Sequence, residues 1–242
     1  MPRCWPTMLA AAVTILPASL PARAQGPDTL IFGTTHESES VVFRYASAYL
    51  QALCADIRQR CELQSLPGRR AEAMLAAGSI AGEMGRVRDY GRKHPQYVRI
   101  DEPFVQIRTY VFTPAAQPVI DSWAQLAQQA HSVSYKRGVH VYQTTLETLR
   151  PQVTPHDVQT VQACLQMVLT GRDQACIYDD GSLSPASHAL LARGHVGRPL
   201  EELGLYLYLG PDQRVMADAI NAAAGRLHGL KTQLRRKYFI LP

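Results

Sequence analysis

Four groups of residues in this chain have types and spacing suited to chemistry: an acid–arginine run, an isolated aspartate, a His–Glu pair and a set of cysteines. The run holds Glu83, Arg86, Arg88 and Arg92. Arginine offers paired donors that match a carboxylate, although a solvated surface charge is the commoner fate of arginine in a polar loop. Glu83 ends an apolar stretch, so it is either a pocket acceptor or the buried partner of a cation. Asp179 precedes Asp180-Gly181 and suits a helix cap as well as a ligand contact. His36-Glu37 resembles part of a metal motif, but H-E-x-x-H is absent and a plain loop is expected. Tyr135 and Tyr178 suit stacking on a ligand, though strand aromatics more often build core. The chain carries no G-x-S-x-G, no S-x-x-K and no P-loop. No cofactor and no metal are expected.

The N-terminus reads as an export leader. Arg3 precedes an apolar run from Met8 to Leu20, interrupted by Pro17, and Ala22-Arg23-Ala24 forms a cleavage site before Gln25. The run is too short to span a bilayer. Removing residues 1–24 takes away two arginines and no acid, so the formal charge of +5 overstates the basicity. Export makes the cysteines informative. Beyond Cys4, an even set remains: Cys54, Cys61, Cys164 and Cys176. Closeness in sequence favours disulfides 54–61 and 164–176, each joining a helix end to the next strand, with buried thiols as the alternative. The set has no C-x2-C spacing, which argues against zinc.

Hydrophobic residues at 46% and charged residues at 19% exclude disorder, collagen-like repeats and a multi-span membrane protein. The basic clusters at Arg86–Lys93 and Lys231–Lys237 lack interleaved aromatics, so nucleic acid is discarded as a partner.

Positioning elements follow from the apolar periods. Strands are expected at 29–32, 61–66, 98–100, 108–113, 131–135, near 153, at 174–178 and at 202–209. Helices are expected at 42–57 with Ser38 or Ser40 as cap, 70–77, 123–130, 138–149, 157–169, 184–192, 213–227 and 231–237. Strands alternating with helices mean α/β layers with largely parallel sheets. The rhythm restarts after Pro114–Pro118 and breaks again near residue 200, which divides the chain into two lobes with a double crossover.

Four stretches carry a likeness to a known family. Ala71–Met84 resembles a helix-Gly-strand unit, L-x-x-G-x-I-D-G, and Val98-Arg-Ile-Asp-Glu-Pro-Phe104 resembles F-S-x-P-Y. Val133-Ser-Tyr-Lys-Arg-Gly138 resembles V-G-V-x-x-G, and Leu169–Asp179 resembles L-x-x-G-R-V-D-A-V-V-x-D. In this order the chain resembles bacterial extracellular solute-binding proteins of family 3, the periplasmic amino-acid-binding components of ABC importers. The resemblance implies an α/β, two-lobed periplasmic-binding-protein-like (type II) fold with a double-crossover hinge. Lobe 1 would comprise 25–113 plus 204–242, lobe 2 would comprise 118–200, and the hinges would lie at 112–118 and 199–204. It further implies capture of a small polar solute, an amino acid or related carboxylate, for a membrane permease by a monomer.

The resemblance also implies site residues. Asp179 falls on the aspartate that holds a ligand ammonium, and Val139 and His140 fall at the helix start whose amides hold a carboxylate. The arginine of the first lobe is Arg86 by its place after the strand, with Arg88 and Arg92 as alternatives. Neither Arg86 nor Asp179 belongs to an apolar core, so the fold is expected to tolerate loss of either. Thr34-Thr-His-Glu-Ser38 stands where the family has an aromatic shelf, which leaves the ligand open. Two other functions fit the same fold: a cyclohexadienyl-dehydratase-like enzyme, and a soluble ligand sensor for a membrane receptor.

Overall fold

Short apolar runs punctuated by helical stripes build one mixed α/β sheet flanked by helices. A computed structural model describes Met1 and residues 29–239, so the leader expected over 1–24 lies, beyond Met1, outside the described residues. The first half of the sheet is parallel: β1 (Leu30–Thr34) lies between β2 (Cys61–Ser65) and β3 (Gly82–Val87). In the second half β6 (Ser132–Lys136) lies, again parallel, between β7 (Thr154–Val158) and β8 (Ala175–Asp179). Two antiparallel strands join the halves. β10 (Glu201–Leu209) pairs with β3 through Leu205–Leu209 and with β5 (Val105–Pro114) through Glu201–Leu205. β5 then pairs with β8 through Thr109–Phe112. The parallel expectation thus holds within each half and fails at the two long strands that pass between them. The short strands β4 (Val98–Arg99) and β9 (Gly194–Val196) pair with β10 and β5.

Burial follows the same division. One core draws on residues 32–107 and 205–239, centred on Tyr45, Leu50, Leu53, Leu207 and Ile220. Another draws on residues 111–177, including Val111, Leu126, Val133, Leu146 and Ile177. Helix α1 (Val41–Asp56) begins where Ser40 accepts a hydrogen bond from Phe43 N, and it turns Val42, Tyr45, Ala46, Tyr49, Leu50 and Leu53 inward. Each large apolar side chain buried in this way contributes about 1.5–3 kcal/mol. The remaining helices are α2 (Gly68–Ala76), α3 (Tyr90–Lys93), α4 (Trp123–Gln129), α5 (His140–Thr148), α6 (Val161–Leu169), α7 (Pro185–Leu191), α8 (Ala217–Arg226) and α9 (His228–Tyr238). The helix expected to begin at Asp157 begins four residues later. Residues 154–158 extend the sheet as β7, and Thr160, not Asp157, accepts from Ala163 N to cap α6. Among the described residues no helix is long and apolar enough to cross a membrane.

Both expected disulfides are present, Cys54–Cys61 and Cys164–Cys176. Each ties a helix to a strand of its own half, the second wholly within the core, where both cysteines are buried. Closing a loop with a sequence separation of 12 restricts the unfolded chain by about 2–3 kcal/mol. Replacing Cys164 and Cys176 together with alanine is therefore expected to lower the denaturation free energy by about that amount. Guanidinium unfolding of oxidised wild type and variant measures it, and equal midpoints would refute it.

Candidate functional site

The parallel strands of both halves point their carboxyl ends at a common cleft of about 660 Å³, the usual place for a ligand in open α/β sheets. From the first half come Thr35 and His36 after β1, Gly85, Arg86 and Arg88 at the end of β3, and Tyr90, Lys93 and His94 of α3. From the second half come Gly138–Tyr142 and Asp179, while Ile107 and Glu202–Tyr206 of the joining strands form the base.

The first wall depends on a bulge. Opposite β10 the register jumps from Tyr206↔Arg86 to Leu207↔Met84, so Gly85 is the extra residue. Its φ of +106° suits glycine, and a Cβ there would meet the His36 ring at 2.9 Å. In a regular strand residues three apart face opposite sides. The bulge instead brings Glu83 and Arg86 together: Arg86 Nε and Nη2 donate to the Glu83 carboxylate at 3.1 and 2.8 Å. Arg86 also reaches Glu72 at 3.3 Å and lies 4.6 Å from the Tyr90 ring centre. Glu83 is fully buried, and Tyr90 Oη donates to it at 3.3 Å. Arg88 is bound differently: its only side-chain partner among the described residues is the neutral Tyr206 hydroxyl, at 2.9 and 3.3 Å.

The second wall is a helix start without a cap. Gly138, with φ of +85°, turns β6 into α5, and Val139 at the cap position supplies no side-chain acceptor. The helices α1, α4, α6 and α7 all carry a Ser or Thr that accepts from their first turn. The first-turn amides of α5 therefore remain available to an anion in the cleft. Asp179 is engaged. Its oxygens accept from Ser182 N and Ser182 Oγ, both at 2.8 Å, and from Tyr142 Oη at 3.4 Å. Burial pushes its carboxyl above the usual range, against these hydrogen bonds and the nearby Lys136 charge.

Lys136 ties the walls together. From the end of β6 it reaches Glu37 Oε1 at 3.0 Å and donates to the Thr35 carbonyl at 3.3 Å. His36 lies beside it, buried, and its Nδ1 has no hydrogen-bond partner among the described residues. Burial, with Lys136 and Arg86 adding to it, lowers the His36 pKa to about 3.

Of the residues expected at a ligand, Arg86, Arg88, Val139, His140 and Asp179 line the cleft. Glu83 does not; it is the buried ion-pair partner of Arg86. Arg92, its side chain 82% exposed, does not line the cleft but an adjoining hollow with Pro95, Tyr97 and Arg99, which Arg88 and Asp89 share with the cleft. Against the expectation that the fold would tolerate loss of Arg86 or Asp179, the first pairs with a buried carboxylate and the second accepts from Ser182 N and Oγ at the turn, so loss of either is expected to cost stability. Tyr178 packs in the core of its half against Tyr110, with ring centres 5.8 Å apart, and Tyr135 is likewise buried core. Lys136, Tyr142 and Tyr206 carried no signal in the sequence; His36 stands in the stretch that replaces the family's aromatic shelf, where the sequence suggests only a plain loop.

A second buried acid stands behind Asp179. Asp180 accepts from Arg108 N of β5 at 3.0 Å, and its Oδ2 has no partner among the described residues. Burial, reinforced by the Asp179 charge, raises its pKa to about 6. A carboxyl with a raised folded pKa holds its proton longer in the native state, so its contribution to stability falls as pH rises from about 4 to about 6. Asp180→Asn should remove that fall, making variant-minus-wild-type stability more favourable at pH 7.5 than at pH 4.5 by about 2 kcal/mol. Urea titrations at the two pH values read the difference, and equal values would overturn the assignment.

The sequence matches no family model. An uncharacterized protein of Shewanella oneidensis is 26% identical over 176 residues, which cover 72% of this chain and 66% of that protein. The chain thus matches slightly less than two thirds of that relative's length. Likeness to solved structures is much broader. An ancestral arginine-binding protein bound to arginine superposes with a TM-score of 0.70 at 15% identity, over 90% of this chain and 100% of the other. An ancestral amino-acid-binding protein, a precursor of cyclohexadienyl dehydratase, gives 0.70 at 16% identity over 87% and 95%. A histidine kinase sensor domain similar to periplasmic binding proteins gives 0.72 at 12% identity over 89% and 97%. The fold is therefore the two-lobed fold of periplasmic binding proteins, as the four sequence stretches implied.

Proposed function

We propose that this chain is a periplasmic solute-binding protein that closes two lobes on a small carboxylate-bearing solute and presents it to the permease of an ABC importer. One observation carries the reading: an uncapped helix start and Arg88, an arginine with no acidic partner among the described residues, line the same cleft. A carboxylate between them would meet backbone N–H groups on one side and a guanidinium fork on the other. Residues 29–107 with 205–239 would make up one lobe and 111–200 the other, the division that the two cores follow. The passages between the cores, at 107–111 on β5 and 200–205 on β10, then serve as the hinge, because β5 and β10 are the long strands shared by both halves. The fold shared with amino-acid-binding proteins supports capture, and the expected leader supports export.

A thermal-shift screen against amino acids and organic acids tests the reading. A specific ligand at 100 times its Kd adds about 2.7 kcal/mol of stability. Failure of every small molecule to raise the melting temperature would refute capture. The likeness to a kinase sensor domain supports a second reading, in which the same closure signals to a receptor. Co-purification with a permease favours import, and co-purification with a membrane kinase favours signalling. Turnover of prephenate or arogenate by the purified chain would replace both with an enzyme.

A further inference from the structure

The charged groups around the cleft divide unevenly into paired and unpaired. The acids that border the cleft are mostly engaged. Glu83 is taken by Arg86, which is also held by Glu72. Glu202 pairs with Arg108 at 3.1 Å, Asp89 faces Arg92 at 3.9 Å, and Glu37 pairs with Lys136 at 3.0 Å. Asp179 accepts three hydrogen bonds, and its raised pKa weakens the charge it would offer an ammonium. Two cations are different. Arg88 bonds only to the Tyr206 hydroxyl and Lys93 has no hydrogen bond or ion pair among the described residues, and both are exposed to solvent where they line the cleft. The first-turn amides of α5 border the same space without a side-chain cap.

We propose that the cleft selects a net-anionic organic acid lacking an α-ammonium group, with Arg88 and Lys93 supplying the charge that the ligand neutralises. The inference rests on the reading of the cleft as a solute site and narrows it. A cationic amino acid would bring positive charge to a site whose acids are largely engaged, and lobe closure would then desolvate Arg88 and Lys93 without a counter-charge. A zwitterion would need its ammonium desolvated next to an aspartate whose oxygens are already in use. A carboxylate without that group meets only donors: the Arg88 fork, the Lys93 ammonium and the α5 amides.

Calorimetric titration with glutarate, L-glutamate, L-glutamine and L-arginine, together with a wider set of mono- and dicarboxylates, separates the outcomes. The four named probes vary the α-ammonium and the net charge on a similar skeleton. Anions without the ammonium should bind at least tenfold more tightly than their amino-acid counterparts. Their affinity should fall by about 30-fold in Arg88→Gln and weaken with added salt. Arg88→Lys, which keeps charge but loses the fork, should recover part of that loss. Tighter binding of L-glutamine or L-arginine than of any anion overturns the charge preference while leaving solute capture intact. Undiminished affinity of the bound anion in Arg88→Gln overturns the anchor. No binding by any member of the set overturns both this inference and the capture reading.

Discussion

Glu83→Ala is expected to destabilise the protein by about 3–5 kcal/mol, although the residue belongs to no apolar cluster. The side chain is fully buried at the end of β3, and Arg86, whose side chain is only 10% exposed, donates to both of its oxygens. Removing the carboxylate leaves a mostly desolvated guanidinium with a single remaining acid, Glu72, whose side chain is 39% exposed. Tyr90 loses the acceptor of its hydroxyl at the same time. Arg86→Ala should cost a similar amount, because it strands the buried Glu83. The pair is less indispensable than either single variant suggests. Apolar groups of matching volume often substitute for a buried ion pair at little cost, so Glu83→Leu with Arg86→Met should recover most of the loss. Urea unfolding of the three variants measures this. A loss below about 1 kcal/mol in both single variants would show that the pair is solvated and does not hold the cleft wall.

This pair also explains where sequence reasoning stopped. Glu83 and Arg86 lie three residues apart on a strand, a spacing that normally sends side chains to opposite faces. Only the bulge at Gly85 brings them together, and the need for that bulge comes from the pairing of β3 with β10, more than a hundred residues away. Glu72 joins the pair from α2, across a loop whose course the apolar periods do not specify. The frame was legible because its signals are local. Ser40 and Ser184 announced their helices, the cysteine spacings announced both disulfides, and the four motif stretches announced the two-lobed fold. The second wall was partly legible for the same reason, since Gly138 marks the turn into α5 and places Val139 and His140. Lys136 and His36 were not, because their meeting depends on how the two halves approach each other. The same limit hid the difference between Arg86 and Arg88: adjacent in pattern, one is saturated with carboxylates and the other meets only a phenol.

Acid should loosen the cleft through His36. The imidazole is buried between the β1 and β3 ends, and desolvation, aided by the Lys136 and Arg86 charges, lowers its pKa from 6.5 to about 3. A base with a depressed folded pKa binds fewer protons in the native state than in the unfolded chain. Its contribution to stability is therefore complete above about pH 6.5 and is lost progressively as pH falls toward 3. Between pH 7.5 and pH 4.5 the loss from this one group is about 2–3 kcal/mol. Asp180 acts in the opposite direction over an overlapping range, because its raised pKa favours the native state in acid. The wild-type curve should consequently be flatter than either residue alone would make it, and the single variants expose the two contributions. His36→Gln, which cannot be protonated, should gain about 2–3 kcal/mol relative to wild type between pH 7.5 and pH 4.5, and Asp180→Asn should lose about 2 over the same span. The residues sit in different halves and share no contact, so the double variant should show the sum. Parallel pH profiles for wild type and His36→Gln would mean that the native protein admits a proton to this imidazole, and the buried, neutral histidine in the cleft wall would have to be abandoned.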